Sequence, residues 1–126
     1  MKYKLAMLVD DDEDVNYINS WLIKKNLAEE VVIKQSAEAA LAYLRSRSNL
    51  RLLLPEIIFL DIRMPLMDGF DFLNEFNKLS EHIRKSCRIV MLSSSFDKRD
   101  YNKAMSNQFV EKYFNKPLTS EALRGL

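Results

Sequence analysis

The sequence predicts an α/β fold in which a parallel five-stranded sheet carries helices on both faces. Short apolar runs alternate with amphipathic segments along the 126 residues, and this alternation is typical of β-α-β units. Two of the apolar runs, at residues 5–9 and 57–60, lead directly into acids, which are Asp10 and Asp11 after the first and Asp61 after the second. Open α/β sheets bind ligands at the carboxyl ends of their strands. These acids therefore indicate one shared site.

Each strand is predicted from a short run of apolar or β-branched residues. The predicted strands cover residues 5–9, 31–33, 57–60, 88–92 and 110–114. Apolar residues at helical spacing predict the helices. The predicted helices cover residues 14–26, about 37–45, 70–79 and 98–105, and a short last helix follows Thr119. Ser36 is the expected cap of the second helix. Residues 46–55 are expected to form a connection whose run 52–54 is too apolar to be fully exposed.

Side-chain packing on the first helix is predicted from the same spacing. Val15, Ile18, Leu22 and Ile23 recur at helical intervals and are expected to face inward. Tyr17 and Trp21 lie four residues apart and are expected to pack together.

The composition excludes several classes of protein. The formal net charge of +1 gives no global electrostatic reason to bind nucleic acid or an anionic membrane. No apolar run approaches the roughly 20 residues that span a bilayer, and the N-terminus lacks a signal-peptide pattern. Cys87 is the single cysteine, which rules out an internal disulfide or a thiolate metal cage. A reducing cytoplasm is the simplest location.

One domain is expected over residues 1–126, since this length is ordinary for a single core. The last helix has room for only a few turns, so it is expected to be short or truncated. No DNA-binding or enzymatic output segment fits in this length. The chain is therefore expected to be either a stand-alone domain or one excised from a longer protein.

Polar residues follow four of the predicted strands. Asp10 and Asp11 follow the first, Asp61 the third, Ser93 the fourth and Lys116 the fifth. Clustered carboxylates repel one another unless a cation lies between them, and ligands that are all oxygen suit Mg²⁺. A lysine and a small hydroxyl beside the acids suit a site where a carboxylate accepts a phosphoryl group, because they stabilise its developing charge.

In these motifs the sequence resembles the receiver domain of two-component response regulators. The resemblance covers essentially the whole chain. It rests on Leu8-Val-Asp-Asp-Asp12, on Phe59-Leu-Asp-Ile-Arg-Met-Pro-Leu-Met-Asp-Gly69, on Ser93 after a strand, and on Lys116-Pro117. It implies a flavodoxin-like, doubly wound sheet of order 2-1-3-4-5.

The resemblance also implies a role for each site residue. Asp61 would be the phosphoacceptor and a metal ligand. Asp11 would bind Mg²⁺ directly, and Asp10 would bind it directly or through water. The backbone carbonyl of Arg63 would be a further ligand, and Mn²⁺ could replace Mg²⁺. Lys116 would contact the phosphoryl group.

Two residues fill the family's switch positions, namely Ser93 and Tyr113. The bond between Lys116 and Pro117 is expected to be cis. The segment from Ser93 to Lys116 is about one residue longer than the common pattern, and Gln108-Phe109 stands where a small Gly-Ala pair is usual.

The function that the resemblance implies is a phosphorelay signal-transduction switch. A sensor histidine kinase or a histidine phosphotransfer protein would donate the phosphoryl group, and water would later remove it. The domain would catalyse its own phosphorylation and dephosphorylation and would not be a metabolic enzyme. The change would remodel a face made of the fourth predicted helix (98–105), the fifth strand (110–114) and the last helix, which binds a downstream protein partner. No nucleic acid or membrane would bind through this domain, and the chain would be a monomer or weak dimer.

Three other functions are less well supported by the residues. A phosphatase of the haloacid-dehalogenase type would use Asp10 and Asp12, but only Glu121 follows Lys116 to complete its metal site. That reading also leaves the Asp61 motif without a role. A receiver fold kept as an unphosphorylated binding module would not need the full set of acids, hydroxyl and lysine. An FMN carrier would need to bind phosphate where the first loop is acidic.

Overall fold

The computed structural model describes residues 1–47 and 53–126. Five strands are present, namely β1 (Tyr3–Val9), β2 (Ala28–Lys34), β3 (Ile57–Asp61), β4 (Arg88–Ser93) and β5 (Val110–Asn115). Six helices lie in the described part, namely α1 (Glu13–Asn26), α2 (Ala37–Ser46), α3 (Gly69–Phe76), α4 (Glu81–Ser86), α5 (Lys98–Met105) and α6 (Ser120–Arg124). Within the predicted connection, Leu53 is exposed and Leu54 is buried, while residues 48–52 lie outside the described residues.

The sheet is entirely parallel and has the order β2-β1-β3-β4-β5, which confirms the predicted order. Val9 pairs with Leu60 across β1 and β3, and Leu60 pairs with Met91 across β3 and β4. Because paired residues lie side by side, these strands end at the same level. Asp10, which follows β1, and Asp61, which ends β3, are therefore brought together.

Side chains that alternate along the strands form two hydrophobic clusters. Met7, Ile58 and Leu60 point into one cluster, which also contains residues of α2, α3 and α5. Ala6, Leu8 and Phe59 point into the other, which contains residues of α1 and the segment around α6. The sheet thus separates two layers of helices and holds its strand ends rigidly between them.

The inward face of α1 differs from the prediction. The Asp12 side chain caps the helix by accepting hydrogen bonds from the N–H groups of Asp14 and Val15. The residues buried on this helix are Asn16, Asn19 and Ile23, at intervals of three and four. Ile18 is exposed, so the predicted inward position was wrong, and Tyr17 and Trp21 are largely exposed as well.

The helix predicted over 70–79 is α3, and a further helix, α4, follows it where no helix was predicted. Helix α3 ends at Phe76, and the Ser80 hydroxyl then accepts a hydrogen bond from the Ile83 N–H, 3.4 Å away, to start α4. Ile83 is buried against the same cluster as Phe76. A second cap and a new apolar contact therefore favour a second helix over an extension of the first. The helix predicted as the fourth is α5.

The pairing of β4 and β5 is irregular within the segment that was expected to be about one residue longer than usual. Ile89 pairs with Val110, whereas the next residue, Val90, pairs with Lys112. The register therefore shifts by one residue at Glu111, as in a β-bulge. No helix in the described ranges is long and apolar enough to cross a membrane.

Candidate functional site

Three carboxylates meet where β1 and β3 end. Asp10 is 1% exposed and Asp61 is 5% exposed, whereas Asp11 lies open to solvent. One oxygen from each of the three lies within 4.8 Å of the others. The sequence prediction brought these three residues together, and the structure confirms that proximity.

Lys116 supplies the positive charge beside these acids. Its Nζ lies 2.6 Å from Asp10 Oδ2 and 3.3 Å from Asp61 Oδ1. Its backbone N–H donates a 2.7 Å hydrogen bond to the Ser93 carbonyl, which fixes the end of β5 against β4. The bond between Lys116 and Pro117 is cis, as the resemblance led us to expect.

Asp10 is held at each of its polar groups. Its N–H donates to the Lys34 carbonyl at 3.1 Å, and its carbonyl accepts from Asn16 Nδ2 at 2.8 Å. Its Oδ1 accepts from the Asp12 N–H at 3.0 Å, and its Oδ2 accepts from Lys116. The carboxylate therefore has a defined orientation toward Asp61.

The electrostatics of the site follow from burial and from the neighbouring charges. Burial and repulsion from Asp10 raise the pKa of Asp61 to about 6, although Lys116 and the Arg63 backbone N–H act in the opposite direction. Burial disfavours the charged form of Lys116, but Asp10 and Asp61 outweigh it and raise its pKa above the ordinary value. At neutral pH the site thus contains a carboxylate whose charge is poorly compensated.

These residues fit a divalent cation. Three carboxylates and one ammonium leave an excess of negative charge, and the ligand atoms on offer are oxygens. Such a set suits Mg²⁺ or Mn²⁺ better than a soft metal. A cation there would offset the burial and the Asp10 repulsion that disfavour the Asp61 carboxylate.

The loop after β3 is packed tightly against the acceptor strand. A Cβ placed on Gly69 would lie 2.7 Å from the Asp61 carbonyl oxygen and 3.1 Å from the Ile62 Cα, so this position has no room for a side chain. The Gly69 N–H donates to the Ile62 carbonyl at 2.9 Å. Leu66, at the tip, has a φ of 70° and is 97% exposed. Its backbone conformation is strained for a leucine.

Arg63 is held by two different parts of the molecule. Its side chain forms an ion pair and hydrogen bond with Asp100 of α5, and its backbone N–H is directed at the Asp61 carboxylate. This residue therefore links the acceptor loop to α5. The sequence analysis did not identify Asp100, because it lies 37 residues from Arg63 and only the fold brings it near.

The two expected switch residues lie on neighbouring strands. The buried Ser93 hydroxyl donates to the Ser95 carbonyl at 2.5 Å and so points along the loop after β4. The Tyr113 ring makes edge contacts with Tyr101 at 5.3 Å and with Phe96 at 6.4 Å between ring centres. We call Phe96, Tyr101 and Tyr113 the aromatic cluster.

Asn16 is a second residue at the site that the sequence analysis missed. Five consecutive acids, at residues 10–14, offered several possible caps for α1. None of these caps would fix which face of the helix is buried, because the angle between successive residues is the same whichever residue begins the helix. The burial of Asn16 and Asn19 therefore had no clear signal in the sequence.

Comparison with known proteins agrees with this geometry. The response regulator receiver domain family matches residues 6–126. A solved two component response regulator from Cytophaga hutchinsonii is 32% identical, with a TM-score of 0.91 over 99% of this chain and 94% of that chain. A solved response regulator receiver protein from Dyadobacter fermentans DSM 18053 is 31% identical, with a TM-score of 0.85 over 97% of this chain and 93% of that one.

A curated relative extends the comparison. The probable methanogenesis regulatory protein FilR2 of Methanothrix harundinacea (strain 6Ac) is 37% identical over 90 residues, which are 71% of this chain and 56% of that protein. The chain thus spans little more than half of that relative's length.

The match extends over nearly the whole chain, and the fold agrees with it in strand order. The acids at the carboxyl ends of β1 and β3 and the lysine after β5 occupy one edge of the sheet. The chain therefore belongs to the response regulator receiver domain family, whose members are phosphorelay switches of two-component systems and not metabolic enzymes.

Proposed function

We propose that Asp61 accepts a phosphoryl group from a phosphohistidine of a partner kinase or phosphotransfer protein. The observation that carries the proposal is the position of Asp61, which is buried at the end of β3 with Asp10 and Asp11 around it and Lys116 Nζ 3.3 Å away. Most Asp61 side chains are ionised at neutral pH, since the raised pKa is about 6. The nucleophile is therefore available where a phosphoryl group can be neutralised.

The transfer is a substitution at phosphorus. One Asp61 oxygen forms a bond to phosphorus while the phosphorus–nitrogen bond of the donor breaks, and the donor imidazole leaves with the bonding electrons. Lys116 turns from the carboxylates to a phosphoryl oxygen. Water later cleaves the acyl phosphate and returns the Asp61 carboxylate and inorganic phosphate.

A divalent cation would be held by the carboxylates of Asp10, Asp11 and Asp61 and by the Arg63 main-chain carbonyl. When bound, Mg²⁺ or Mn²⁺ supplies positive charge beside the phosphoryl oxygens. The fit of the donor set supports this assignment.

The phosphoryl donor would dock on α1. This helix begins directly beside the acidic residues, and on it Tyr17 is 77% exposed, Ile18 58% and Trp21 57%. Three large apolar side chains exposed within five residues are typical of a protein contact surface. We call Tyr17, Ile18 and Trp21 the α1 surface.

The output would use the face formed by α5, β5 and α6. The Ser93 hydroxyl would exchange the Ser95 carbonyl for a phosphoryl oxygen, and Tyr113 would move with it. The aromatic cluster supports this role, because Phe96 and Tyr101 are exposed and their contacts with Tyr113 join that face to the site. A downstream protein would then bind one arrangement of the face better than the other.

The experiment that tests the proposal is intact mass measurement after incubation with acetyl phosphate, with and without Mg²⁺. One labile phosphoryl adduct is expected, and it should require both Mg²⁺ and Asp61. Asp61→Asn removes the acceptor, while Asp14→Asn is a matched control because Asp14 is an exposed acid of α1. Absence of an adduct, together with no Mg²⁺-induced change in melting temperature, would instead favour a binding module that works without phosphorylation.

A further inference from the structure

Two buried polar side chains of α1 are left unexplained by the transfer chemistry. The buried polar residues in the described part of the chain are Asp10, Asn16, Asn19, Asp61 and Ser93. Asn16 and Asn19 occupy positions where a helix packed on a sheet usually carries apolar side chains. Burial of an amide is unfavourable unless it is fully hydrogen-bonded, and Asn16 Oδ1 and Asn19 Nδ2 have no partner among the described residues.

Asn16 contacts the site through the main chain of Asp10. Its Nδ2 donates a buried 2.8 Å hydrogen bond to the Asp10 carbonyl oxygen. Asp10 follows the last residue of β1, and its N–H is held by β2 through the Lys34 carbonyl. The hydrogen bond from Asn16 holds the other side of the residue, where the chain leaves the sheet for α1.

A fixed Asp10 carbonyl has a consequence for Asp11. Because a peptide group is planar, the hydrogen bond from Asn16 fixes the plane of the whole group between Asp10 and Asp11. That plane contains the Asp11 nitrogen and Cα, so it fixes the point from which the Asp11 side chain leaves the backbone. Asp11 is exposed, and its carboxylate belongs to the cluster of three acids.

We propose that Asn16 is a positioning residue that sets the relative placement of the Asp10 and Asp11 carboxylates by holding the peptide group between them. The inference rests on the proposed function, since it assigns regulation of cation affinity at that same site. Groups that orient metal ligands typically change metal affinity by about 10- to 100-fold when they are removed. Asn16 would act through the cation-binding acids and not through contact with the phosphoryl group.

The matched pair Asn16→Leu and Asn19→Leu tests this role. Each variant replaces a buried amide on the same face of α1 with an apolar side chain of similar size, but only Asn16 contacts Asp10. The measurements are the dissociation constant for Mg²⁺ by calorimetric titration and the rate of phosphorylation by acetyl phosphate at increasing Mg²⁺. Asn16→Leu is expected to weaken Mg²⁺ binding about tenfold or more, while Asn19→Leu leaves it within about twofold. Saturating Mg²⁺ should restore the rate of Asn16→Leu, which a general structural defect would not allow.

The inference is overturned if Asn16→Leu binds Mg²⁺ as tightly as the unmodified protein. It is also overturned if both variants weaken binding equally, or if saturating Mg²⁺ leaves the rate of Asn16→Leu low. Should a leucine variant fail to fold, Asn16→Ala and Asn19→Ala give the same comparison with a smaller side chain. A failure of the unmodified protein itself to bind Mg²⁺ would overturn the proposed function and the inference together, whereas normal binding by both variants overturns the inference alone.

Discussion

Lys116 lies closer to Asp10 than to Asp61, at 2.6 Å from one carboxylate and 3.3 Å from the other. The residue expected to receive the phosphoryl group therefore has the weaker contact with the lysine. Its burial and the nearby Asp10 outweigh that contact and raise the pKa of Asp61. The fold thus keeps its acceptor in an electrostatically unfavourable state.

Asp61→Asn is expected to stabilise the metal-free protein at neutral pH by about 1–3 kcal/mol. The folded pKa of about 6 exceeds the ordinary value of 3.8, so the folded state binds the proton more tightly than the unfolded state. The ionised side chain therefore destabilises the fold fully above about pH 6, progressively less between 6 and 3.8, and not at all below 3.8. Urea unfolding of both proteins from pH 4 to 8 would check this, and a difference that does not grow with pH would contradict it.

Lys116→Met is expected to destabilise the metal-free protein by about 1–3 kcal/mol. The change leaves the buried carboxylates of Asp10 and Asp61 without their cation. Thermal unfolding should show the loss, and saturating Mg²⁺ should recover part of it by supplying positive charge. Lys112→Met in β5 is the control, since Lys112 is exposed. Equal effects of the two substitutions would argue against a role for the buried charge.

Gly69→Ala is expected to lower stability by about 1–3 kcal/mol and to slow phosphorylation. The new Cβ would meet the Asp61 carbonyl oxygen at 2.7 Å, so the acceptor strand or the loop must shift. Gly125→Ala is a matched control, because its Cβ would make only ordinary contacts, the nearest at 3.6 Å. Chemical denaturation and the acetyl phosphate reaction measure the two effects. If Gly69→Ala changed neither the stability nor the phosphorylation rate, the loop would have to be free to move.

Leu66→Asn is expected to stabilise the protein by about 0.3–1 kcal/mol. Asparagine tolerates a positive φ better than leucine does, and the exposed Leu66 side chain has little packing to lose. Leu66→Ala should change little, because alanine keeps the same backbone strain. The comparison of the two variants by thermal unfolding separates strain from loss of the side chain.

Trp21→Ala is expected to slow phosphotransfer from a protein donor about tenfold or more, as loss of a central aromatic contact does in other interfaces. The rate with acetyl phosphate should be unchanged, since Trp21 is exposed and belongs to the proposed docking surface and not to the acceptor site. Measuring both donors with the same preparation supplies the control. Equal slowing with both donors would place the defect in the acceptor chemistry.

The sheet and the proximity of Asp10, Asp11 and Asp61 could be predicted because both depend on short sequence motifs that follow one another in a known order. Apolar runs define β1 and β3, and an acid stands at the carboxyl end of each. The buried face of α1 could not be predicted as well, since only the packing of the helix on the sheet decides that Asn16 faces inward. The contact between Arg63 and Asp100 depends on how α5 is placed on the sheet, which no nearby residue specifies. Helix α4 was not predicted, because its cap at Ser80 was not recognised as the start of a separate helix.

The two layers of helices have a consequence for how partners share this domain. Ile23 of α1 and Ala104 of α5 belong to different hydrophobic clusters on opposite sides of the sheet. A donor seated on the α1 surface would therefore leave α5 uncovered, whereas α6 lies on the same side of the sheet as α1. A partner that contacts only α5 can be engaged before the donor has left, but one that also covers α6 must share that side of the molecule with the donor.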